Sequence, residues 1–367
     1  MATTTTIQAT ALSELISRGC QGVGLSRADS EAVAEVLVYA NLRGQDAHGL
    51  VRLANYMRRV KGGLAGGSDR IRTVAGSGPL RRLDAGRAIG PAAATRASDL
   101  AAEIAREHGV AVVGLGNATH FGSAGFYVRR IAGLGLVGIA ISNGPKAIAP
   151  YGAAEALLGT NPLAVGIPIG NDKQMVLDMA TGAIPRGQVR RAAKSGAPLP
   201  PGAALDSAGR PTVDAKAALD GSILPIAGSK GSGLALTISM LAIMLAGAEA
   251  DDELGMPAGS AQGDAGRFPL FSGSVGQLFL AIDPEPLLGA SSPERLEGLV
   301  ERLHGLRPAD GFDSPRLPGE TGDLMADNRL KHGVPVQSEH LSELAETCRE
   351  FGLDELAGRL EADYLRG

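Results

Sequence analysis

The sequence has no tryptophan and few other aromatic residues, so that aromatics make up 3% of the chain. Aromatic platforms for stacking bases or sugars are therefore not expected. Cysteine is also scarce, because only Cys20 and Cys348 occur. Two distant cysteines cannot crosslink a secreted fold, so the sequence predicts a reducing, cytoplasmic location. An excess of basic residues is missing too: the formal net charge is −4, which argues against nucleic acid or an anionic membrane as a partner.

Long hydrophobic segments are equally rare. The N-terminal residues Met1–Thr6 lack the basic region and apolar core of a secretory signal. The longest apolar run, Leu234–Ala246, contains Thr237 and Ser239 and is shorter than a bilayer span. We therefore expect this run to form a buried core helix, and we expect no membrane partner.

The N-terminal part of the chain is predicted to be helical. Its 367 residues, 44% of them hydrophobic, are enough for a large core and for two or three domains. Helices are predicted at Ala9–Arg18 and from Ser26, whose hydroxyl can cap the helix that follows. A third helix is predicted at Asp46–Val60. The glycine-rich Gly62–Gly67 after it indicates a boundary between regions.

The middle of the chain alternates between helical and β-like segments, which predicts an α/β layer structure. Pro91–His108 is predicted to be a helix that Gly109 closes. Asp251–Gly266, rich in Gly, Ala and Asp, is predicted to be a mobile surface loop. The β-like segments are Val110–Val113, Leu136–Ile141, Leu163–Ile167, Met175–Leu177 and Gln277–Ile282.

The usual nucleotide-binding and hydrolytic motifs are missing. No Gly-x-Gly-x-x-Gly opens a helix after a strand, since Gly114-Leu115-Gly116 lacks the third glycine. Gly228-Ser229-Lys230-Gly231 is not a phosphate-binding loop, and no Gly-x-Ser-x-Gly elbow occurs. None of the six histidines pairs with another His or a Cys at structural-metal spacing, so no metal site is predicted.

Two histidine-bearing segments are candidate catalytic sites. On a helix, His48 and Arg52 would share one face, where an imidazole could exchange a proton with a carbonyl oxygen and a guanidinium could bind a carboxylate. Taken alone, such a pair is more often an ordinary helix surface. His120 follows the predicted strand Val110–Val113 in a loop of small residues, where sites are commonly built. A histidine that merely caps its own loop is an equally good interpretation.

Two further segments could bind an anion or a cofactor. Gly159–Pro162 is a polar turn before a strand, although a plain turn is the simpler interpretation. Ser229–Gly233 begins the long apolar helix, where free N–H groups beside Lys230 would suit a phosphate. A solvated lysine near a glycine turn explains the same residues.

The order of these pieces resembles the malate/L-lactate dehydrogenase family of non-Rossmann oxidoreductases. The resemblance spans about residues 10 to 350, and although each motif is weak alone, seven in order are specific. The matching segments are Asp46–Gly49 with Arg52, Asn117–Gly122, Ala149–Gly152, Gly159–Pro162, Leu177–Thr181, Ser229–Leu234 and Leu317–Glu320.

The resemblance implies an α/β (α+β) fold whose central sheet is mixed or largely antiparallel and not of the Rossmann type. It implies a helical domain built from both chain ends, residues 1–68 together with 292–367. An α/β dinucleotide-binding domain would comprise residues 69–291. The family also implies a homodimer in which the partner subunit would contribute residues to the cofactor cleft.

Carried over by position, the resemblance implies that His48 and His120 are catalytic and that Arg52 binds the substrate carboxylate. Asn143 and Gly144 would line the substrate. The implied cofactor-binding residues are Thr160, Asn161, Asp178, Met179, Ala180, Thr181, Ser229, Lys230, Gly231, Gly319 and Glu320.

The sequence departs from the family pattern at two positions. Ala47 replaces a serine in the first motif, and Ser229 replaces a histidine in the glycine-lysine motif. Neither change removes His48 or Lys230, so the two departures bear on the choice of substrate more than on the reaction class.

The predicted function is therefore hydride transfer between NAD or NADP and a small 2-oxo acid, giving a 2-hydroxy acid. One alternative is a reductase of cyclic imino acids, whose C=N bond relies less on a proton donor. Another is a family member that binds the cofactor without catalysis.

Overall fold

The structure is a computed structural model that describes residues 4–170, 173–255, 274–288 and 292–365. Helices occupy both ends of the chain and alternate with strands in its middle. Within the described residues they are α1 (Ala9–Gly22), α2 (Arg27–Leu42), α3 (Leu53–Lys61), α4 (Gly90–His108), α5 (Ala124–Gly133), α6 (Arg186–Ser195), α7 (Ala215–Leu219), α8 (Ser229–Leu241), α9 (Ser292–His304), α10 (Glu320–His332), α11 (Ser338–Glu350) and α12 (Asp354–Leu360).

In the described parts of the chain, the strands form one large sheet and two small ones. They are β1 (Thr4–Ile7), β2 (Arg72–Ala75), β3 (Leu80–Asp84), β4 (Val110–Ala118), β5 (Val137–Ser142), β6 (Leu163–Gly170), β7 (Lys173–Met179), β8 (Ala204–Leu205), β9 (Pro211–Thr212), β10 (Ser222–Ile223), β11 (Val275–Ile282) and β12 (Val334–Gln337).

The central sheet has seven strands in the order β2-β3-β4-β11-β5-β6-β7. Only the β3–β4 pair is parallel, and the other five pairs are antiparallel. A largely antiparallel, mixed sheet of this kind is not a Rossmann sheet, whose strands are mostly parallel. The predicted fold class is therefore confirmed.

One hydrophobic core joins the two ends of the chain. Leu12, Leu15 and Ile16 recur at helical spacing on α1 and are buried. They belong to the same buried cluster as residues of α2, α3, α11 and α12. Strand β1 pairs with β12, from Thr4↔Gln337 to Ile7↔Val334. The predicted domain limits at residues 68 and 292 stay a prediction, and α9 contacts β6 of the central sheet.

Helices cover the two faces of the central sheet differently. α4 and α5 pack their alanine-rich and aromatic faces on β4, β5 and β11 in a large buried cluster. On the other face, Ile238 of α8 packs against Ile141 and Leu278. α6 and α7, with β8, β9 and β10, form a separate small core around Ile148 and Ile223.

α8 continues through a π-helical turn, Ala242–Ala246, and ends at Gly247, where φ is +73°. The continuous segment Ser229–Ala246 is long and apolar enough to cross a membrane, by length and composition alone, and 33% of it is buried. The expectation of a buried core helix is therefore wrong for the single chain, because one face packs on the sheet and the other is exposed. The exposed side chains are Leu236, Met240, Ile243, Met244 and Leu245.

Several local predictions are confirmed with wider bounds. The Ser26 hydroxyl accepts a hydrogen bond from the Asp29 N–H and caps α2, and α4 ends at Gly109 in the left-handed conformation. Each predicted β-like segment lies within or overlaps a strand. The predicted surface loop at Asp251 is wrong at its start, since Asp251 is 2% exposed. Residues 256–266 of that loop lie outside the described residues.

Candidate active site

The segment that carries His48 and Arg52 is not one helix, so the prediction of a helix over Asp46–Val60 is wrong in its first half. Two short 3₁₀ turns, Asp46–His48 and Leu50–Arg52, precede α3. Gly49 separates them with extended backbone, at φ −93° and ψ −145°. A Cβ atom at Gly49 would lie 2.3 Å from Asn41 Cγ, so the close approach to Asn41 requires glycine.

Asn41, Asp46 and Arg329 hold this segment in place, and we call them the Asp46 cluster. Asn41 Nδ2 and Arg329 Nη1 donate to Asp46 Oδ1 at 2.8 and 2.7 Å. Asn41 Oδ1 accepts from the Leu50 N–H at 2.7 Å. Arg329 comes from α10, so the C-terminal part of the chain fixes the His48 segment.

The structure brings His48 and His120 together. Their rings are parallel within 6°, with centroids 5.5 Å apart. His120 lies in the loop between β4 and α5, as predicted, and its Nδ1 is 2.8 Å from Tyr56 Oη. Because the Gly122 N–H also donates to Nδ1, at 3.3 Å, that nitrogen is an acceptor. The neutral His120 ring therefore carries its proton on Nε2.

Both imidazoles are neutral at neutral pH. Burial, followed by the nearby charge of Arg52, lowers the pKa of His48 to about 3. Burial and then Arg52 and His48 lower the pKa of His120 well below its usual value. Arg52 donates from Nε to the Ala47 carbonyl at 2.7 Å. The three side chains are half-buried, so the site combines one guanidinium with two neutral imidazoles.

A second cluster holds the predicted substrate residue Asn143 and the predicted cofactor residue Asn161. The buried Asp251 carboxylate accepts from Asn143 Nδ2 at 3.0 Å and from Asn161 Nδ2 at 2.8 Å. It also accepts from the Gly159 N–H at 2.7 Å and from Ser239 Oγ of α8 at 2.8 Å. We call these five residues the Asp251 cluster. Gly144 directly follows Asn143 and is half-buried.

Thr160 and Thr181 are joined as well. The backbone N–H and the hydroxyl of Thr181 both donate to the Thr160 carbonyl, at 2.9 and 3.0 Å. The Ile226 N–H donates to the Thr181 carbonyl at 2.9 Å, so the turn before β6 and the segment before α8 are adjacent. Asn161 has a φ of +21° and a buried Oδ1 that accepts no hydrogen bond among the described residues.

The other predicted cofactor residues make contacts of their own. Asp178 Oδ2 accepts from Ser123 Oγ at 2.8 Å and from the Gly125 N–H at 3.0 Å, so this carboxylate binds the start of α5. Met179 is half-buried and Ala180 is exposed. Both follow Asp178 at the end of β7.

The remaining two predicted cofactor segments start helices. Ser229, Lys230 and Gly231 form the first turn of α8, which no side chain of the described residues caps, and Lys230 is exposed there. Gly319 has a φ of +96° and packs on the Val176 backbone of β7. Glu320 bonds the Leu317 N–H and His304, each at 2.8 Å, so its carboxylate stabilises its own turn.

Sequence reasoning missed Tyr56, Asp251 and Arg329. Tyr56 lies four residues after Arg52, so helical spacing could have pointed to it. Asp251 accepts hydrogen bonds from Asn143, Gly159 and Asn161, each 90 or more residues away. Arg329 bonds Asp46, 283 residues away, and no local pattern marks either residue.

Comparison with known proteins shows the family and the fold of the chain. The family model for malate/L-lactate dehydrogenase matches residues 7–345. The chain is 35% identical to L-sulfolactate dehydrogenase of Methanocaldococcus jannaschii, over 90% of this chain and 93% of that protein. It is 38% identical to (2R)-3-sulfolactate dehydrogenase (NADP(+)) of Chromohalobacter salexigens, over 82% and 85%. The solved structure of sulfolactate dehydrogenase from Methanocaldococcus jannaschii superposes with a TM-score of 0.85 and 32% identity, covering 98% of this chain and 100% of that one.

Proposed function

The chain belongs to the malate/L-lactate dehydrogenase family, and from that premise we propose that its two-histidine pocket interconverts a small 2-oxo acid and the corresponding 2-hydroxy acid. The enzyme is an NAD(P)-dependent oxidoreductase that acts on a CH–OH group. The observation that carries the residue assignment is the parallel His48–His120 pair beside Arg52. A guanidinium can bind the carboxylate of a 2-oxo acid while an adjacent imidazole exchanges a proton with the oxygen at C2, so the two groups must lie side by side.

In this proposal Arg52 binds the substrate carboxylate and His48 exchanges a proton with the substrate oxygen at C2. When bound, the nicotinamide supplies the hydride to C2 or takes it from C2. His48 is neutral in the free protein, so it is ready to take the hydroxyl proton during oxidation. For reduction, a carboxylate bound to Arg52 offsets the charge that helps to lower the His48 pKa, and protonation becomes easier.

His120 has a supporting role in the same proposal. Tyr56 and the Gly122 N–H occupy its Nδ1, so its Nε2–H is the only ring proton left to donate. That N–H can polarise the substrate oxygen without titrating. Tyr56 then acts as a positioning residue, because it holds the ring and its tautomer.

The residues present fit a dinucleotide. The N–H groups in the first turn of α8, which no described side chain caps, and the exposed Lys230 offer a site for phosphate. The buried Asn161 Oδ1, which accepts no hydrogen bond from the described part of the chain, is an acceptor beside Thr160 and Thr181. We propose that these residues hold NAD or NADP. Asn143 and Gly144 would line the substrate.

The direct test is oxidation of NADH and NADPH by the purified protein with a panel of 2-oxo acids and with pyrroline-2-carboxylate. We expect turnover on a 2-oxo acid, lowered about 1,000-fold in His48→Gln because general acid–base catalysis contributes that order of magnitude. The control is His332→Gln, whose exposed ring bonds only the Asn328 carbonyl among the described residues. Equal turnover in wild type and His48→Gln would refute the role of His48. Turnover confined to pyrroline-2-carboxylate would favour the imino acid alternative.

We further propose a cytoplasmic homodimer in which the exposed apolar face of α8 packs against the second copy. That face carries Met240 and Met244, which are 57% and 75% exposed. Contiguous apolar patches of this kind mark interaction sites. Light scattering should give twice the mass of the 37.3 kDa chain, and Met244→Lys should shift it toward one chain. A wild-type monomer, or association with lipid vesicles, would contradict the proposal.

A further inference from the structure

One glutamine lies between the two segments that carry the histidines. Gln45 directly precedes the Asp46–His48 turn and is half-buried. Its carbonyl accepts a hydrogen bond from the His48 N–H at 2.8 Å, and its own N–H donates to the Ala40 carbonyl of α2 at 2.9 Å. The backbone of Gln45 is therefore part of the His48 segment, and the amide of its side chain takes no part in these bonds.

The Gln45 side chain bonds the loop that carries His120. Its Oε1 accepts from the Ser123 hydroxyl at 2.6 Å, and Ser123 follows His120 by three residues. Ser123 is 3% exposed and occupies the N-cap position of α5. A serine in that position commonly bonds an N–H of its own helix. Here the hydroxyl makes no such bond to the described N–H groups of α5 and instead reaches a partner 78 residues away.

Asp178, near the end of β7, completes the group. Its Oδ2 accepts from Ser123 Oγ at 2.8 Å and from Gln45 Nε2 at 3.2 Å. The Ser123 hydroxyl has one proton, which it shares between Asp178 and Gln45. The Gly125 N–H donates to the same Asp178 oxygen at 3.0 Å, and a Cβ atom at Gly125 would lie only 2.8 Å from it. We call Gln45, Ser123 and Asp178 the Gln45 network.

The Gln45 network and the Asp46 cluster hold the His48 segment against different parts of the molecule. The Asp46 cluster bonds that segment to α2 and α10, and His120 belongs to neither helix. The Gln45 network bonds it to the loop after His120 and to the end of β7. The two imidazoles, with centroids 5.5 Å apart, are thus joined through a link of side chains. Catalysis needs such a link, because a misplacement of about 1 Å can lower a rate about 100-fold.

We propose that Gln45 is a positioning residue, which sets the separation of His48 and His120 through its bonds to Ser123 and Asp178. This inference rests on the proposed function, because it takes both histidines to act on the substrate oxygen. Gln45 itself touches neither substrate nor cofactor in this scheme. Its effect should therefore appear in kcat.

The test measures kcat and KM in Gln45→Met, Ser123→Ala and the double variant, with the 2-oxo acid that the wild type reduces fastest. We expect each single variant to lower kcat about 10-fold, because a small displacement of a reacting group is costly. The double variant should also lose about 10-fold and not about 100-fold, since both changes break the same link. KM for the cofactor should stay within about twofold, because the Gly125 N–H still holds Asp178.

Gln21→Met is the matched control. Gln21 Nε2 donates to Ser17 Oγ at 2.9 Å on the surface of α1, a helix that carries none of the proposed site residues. This variant also breaks a glutamine–serine bond, and it should leave kcat unchanged. A kcat for Gln45→Met equal to that of the wild type would overturn the positioning role. Losses in the single variants that multiply in the double variant would overturn it as well, because the two residues would then act independently.

A failure of this inference can be distinguished from a failure of the proposed function. No turnover by the wild type on any 2-oxo acid would contradict the proposed function. In that case, the rate at which diethyl pyrocarbonate modifies His48 and His120, followed by mass spectrometry, still tests the Gln45 network. We expect both rings to react faster in Gln45→Met than in the wild type, with the exposed His332 as internal reference. Equal rates at His48 and His120 in the two proteins would overturn the positioning role.

Discussion

Asp46 and Asp251 each hold one segment of the proposed site, and they do so by different means. Asp46 is half exposed, and Arg329 neutralises its charge. Asp251 is 2% exposed, and its four hydrogen-bond donors among the described residues are all uncharged. The Asp46 cluster fixes the segment that carries the proposed acid–base group. The Asp251 cluster fixes the walls against which substrate and cofactor would bind.

This difference has a kinetic meaning. A loosened Asp46 cluster should misplace His48 and lower kcat, while the binding walls stay intact. A loosened Asp251 cluster should move Asn143 and Asn161 together and raise KM for substrate and cofactor. Variants of the two clusters should therefore differ in the kinetic constant that changes: kcat for the Asp46 cluster and KM for the Asp251 cluster.

The largest effect is expected from Asp251→Ala. It would leave buried donors on Asn143, Asn161, Gly159 and Ser239 without their acceptor, at about 1 kcal/mol or more each. We expect the free energy of unfolding to fall by roughly 4 kcal/mol, measured by urea denaturation. The neighbouring Asp252→Ala, at an exposed carboxylate, is the control. A fall in the free energy of unfolding of less than about 1 kcal/mol would mean that the Asp251 cluster does not stabilise the fold.

A smaller effect, and one on catalysis, is expected from Arg329→Met. The change keeps an unbranched apolar stem but removes both hydrogen bonds to Asp46, at 2.7 and 3.2 Å. We expect kcat to fall about 10-fold with KM for the cofactor unchanged, because a small misplacement of a reacting group is costly. Lys331→Met, at an exposed position on the same helix, should leave kcat unchanged. A rise in KM without a fall in kcat would contradict the assignment of the Asp46 cluster to catalysis and of the Asp251 cluster to binding.

An effect confined to acidic solution is expected at His48. The pKa of His48 is about 3 in the folded chain and near 6.5 when exposed. The unfolded chain therefore binds more protons below pH 6.5, and the stability from the neutral ring is lost as the pH falls from 6.5 toward 3. In His48→Gln, the decline of the unfolding free energy between pH 6 and pH 4.5 should be shallower by up to about 1.4 kcal/mol per pH unit. An identical decline in both proteins would mean that the His48 pKa is ordinary.

The sequence predicts those parts of the molecule that depend on neighbours along the chain. Ser26 caps α2 and Gly109 ends α4 because capping needs only a few adjacent residues. The family motifs also indicate His48 and His120, whose ring centroids lie 5.5 Å apart in the fold. The i, i+4 argument for His48 and Arg52 is wrong in its geometry, because the extended Gly49 interrupts the helix.

Other features depend on distant partners, and no local pattern reports them. Asp251 sits in a sequence that is typical of a surface loop, yet its partner Asn143 lies 108 residues away and buries it. α8 has the composition of a core helix, but Met244 on its outer face is exposed in the single chain. Hydropathy cannot distinguish a face buried by the same chain from one buried by another.

The most direct test of the account is the pH dependence of kcat/KM for oxidation of the 2-hydroxy acid between pH 5 and pH 9, with saturating cofactor. This constant reports the ionisation of the enzyme before the hydroxy acid binds. A neutral His48 with a pKa of about 3 predicts a constant value from pH 5 to pH 8. A tenfold fall per pH unit below about pH 6.5 would show an ordinary histidine and contradict the buried, neutral base proposed here.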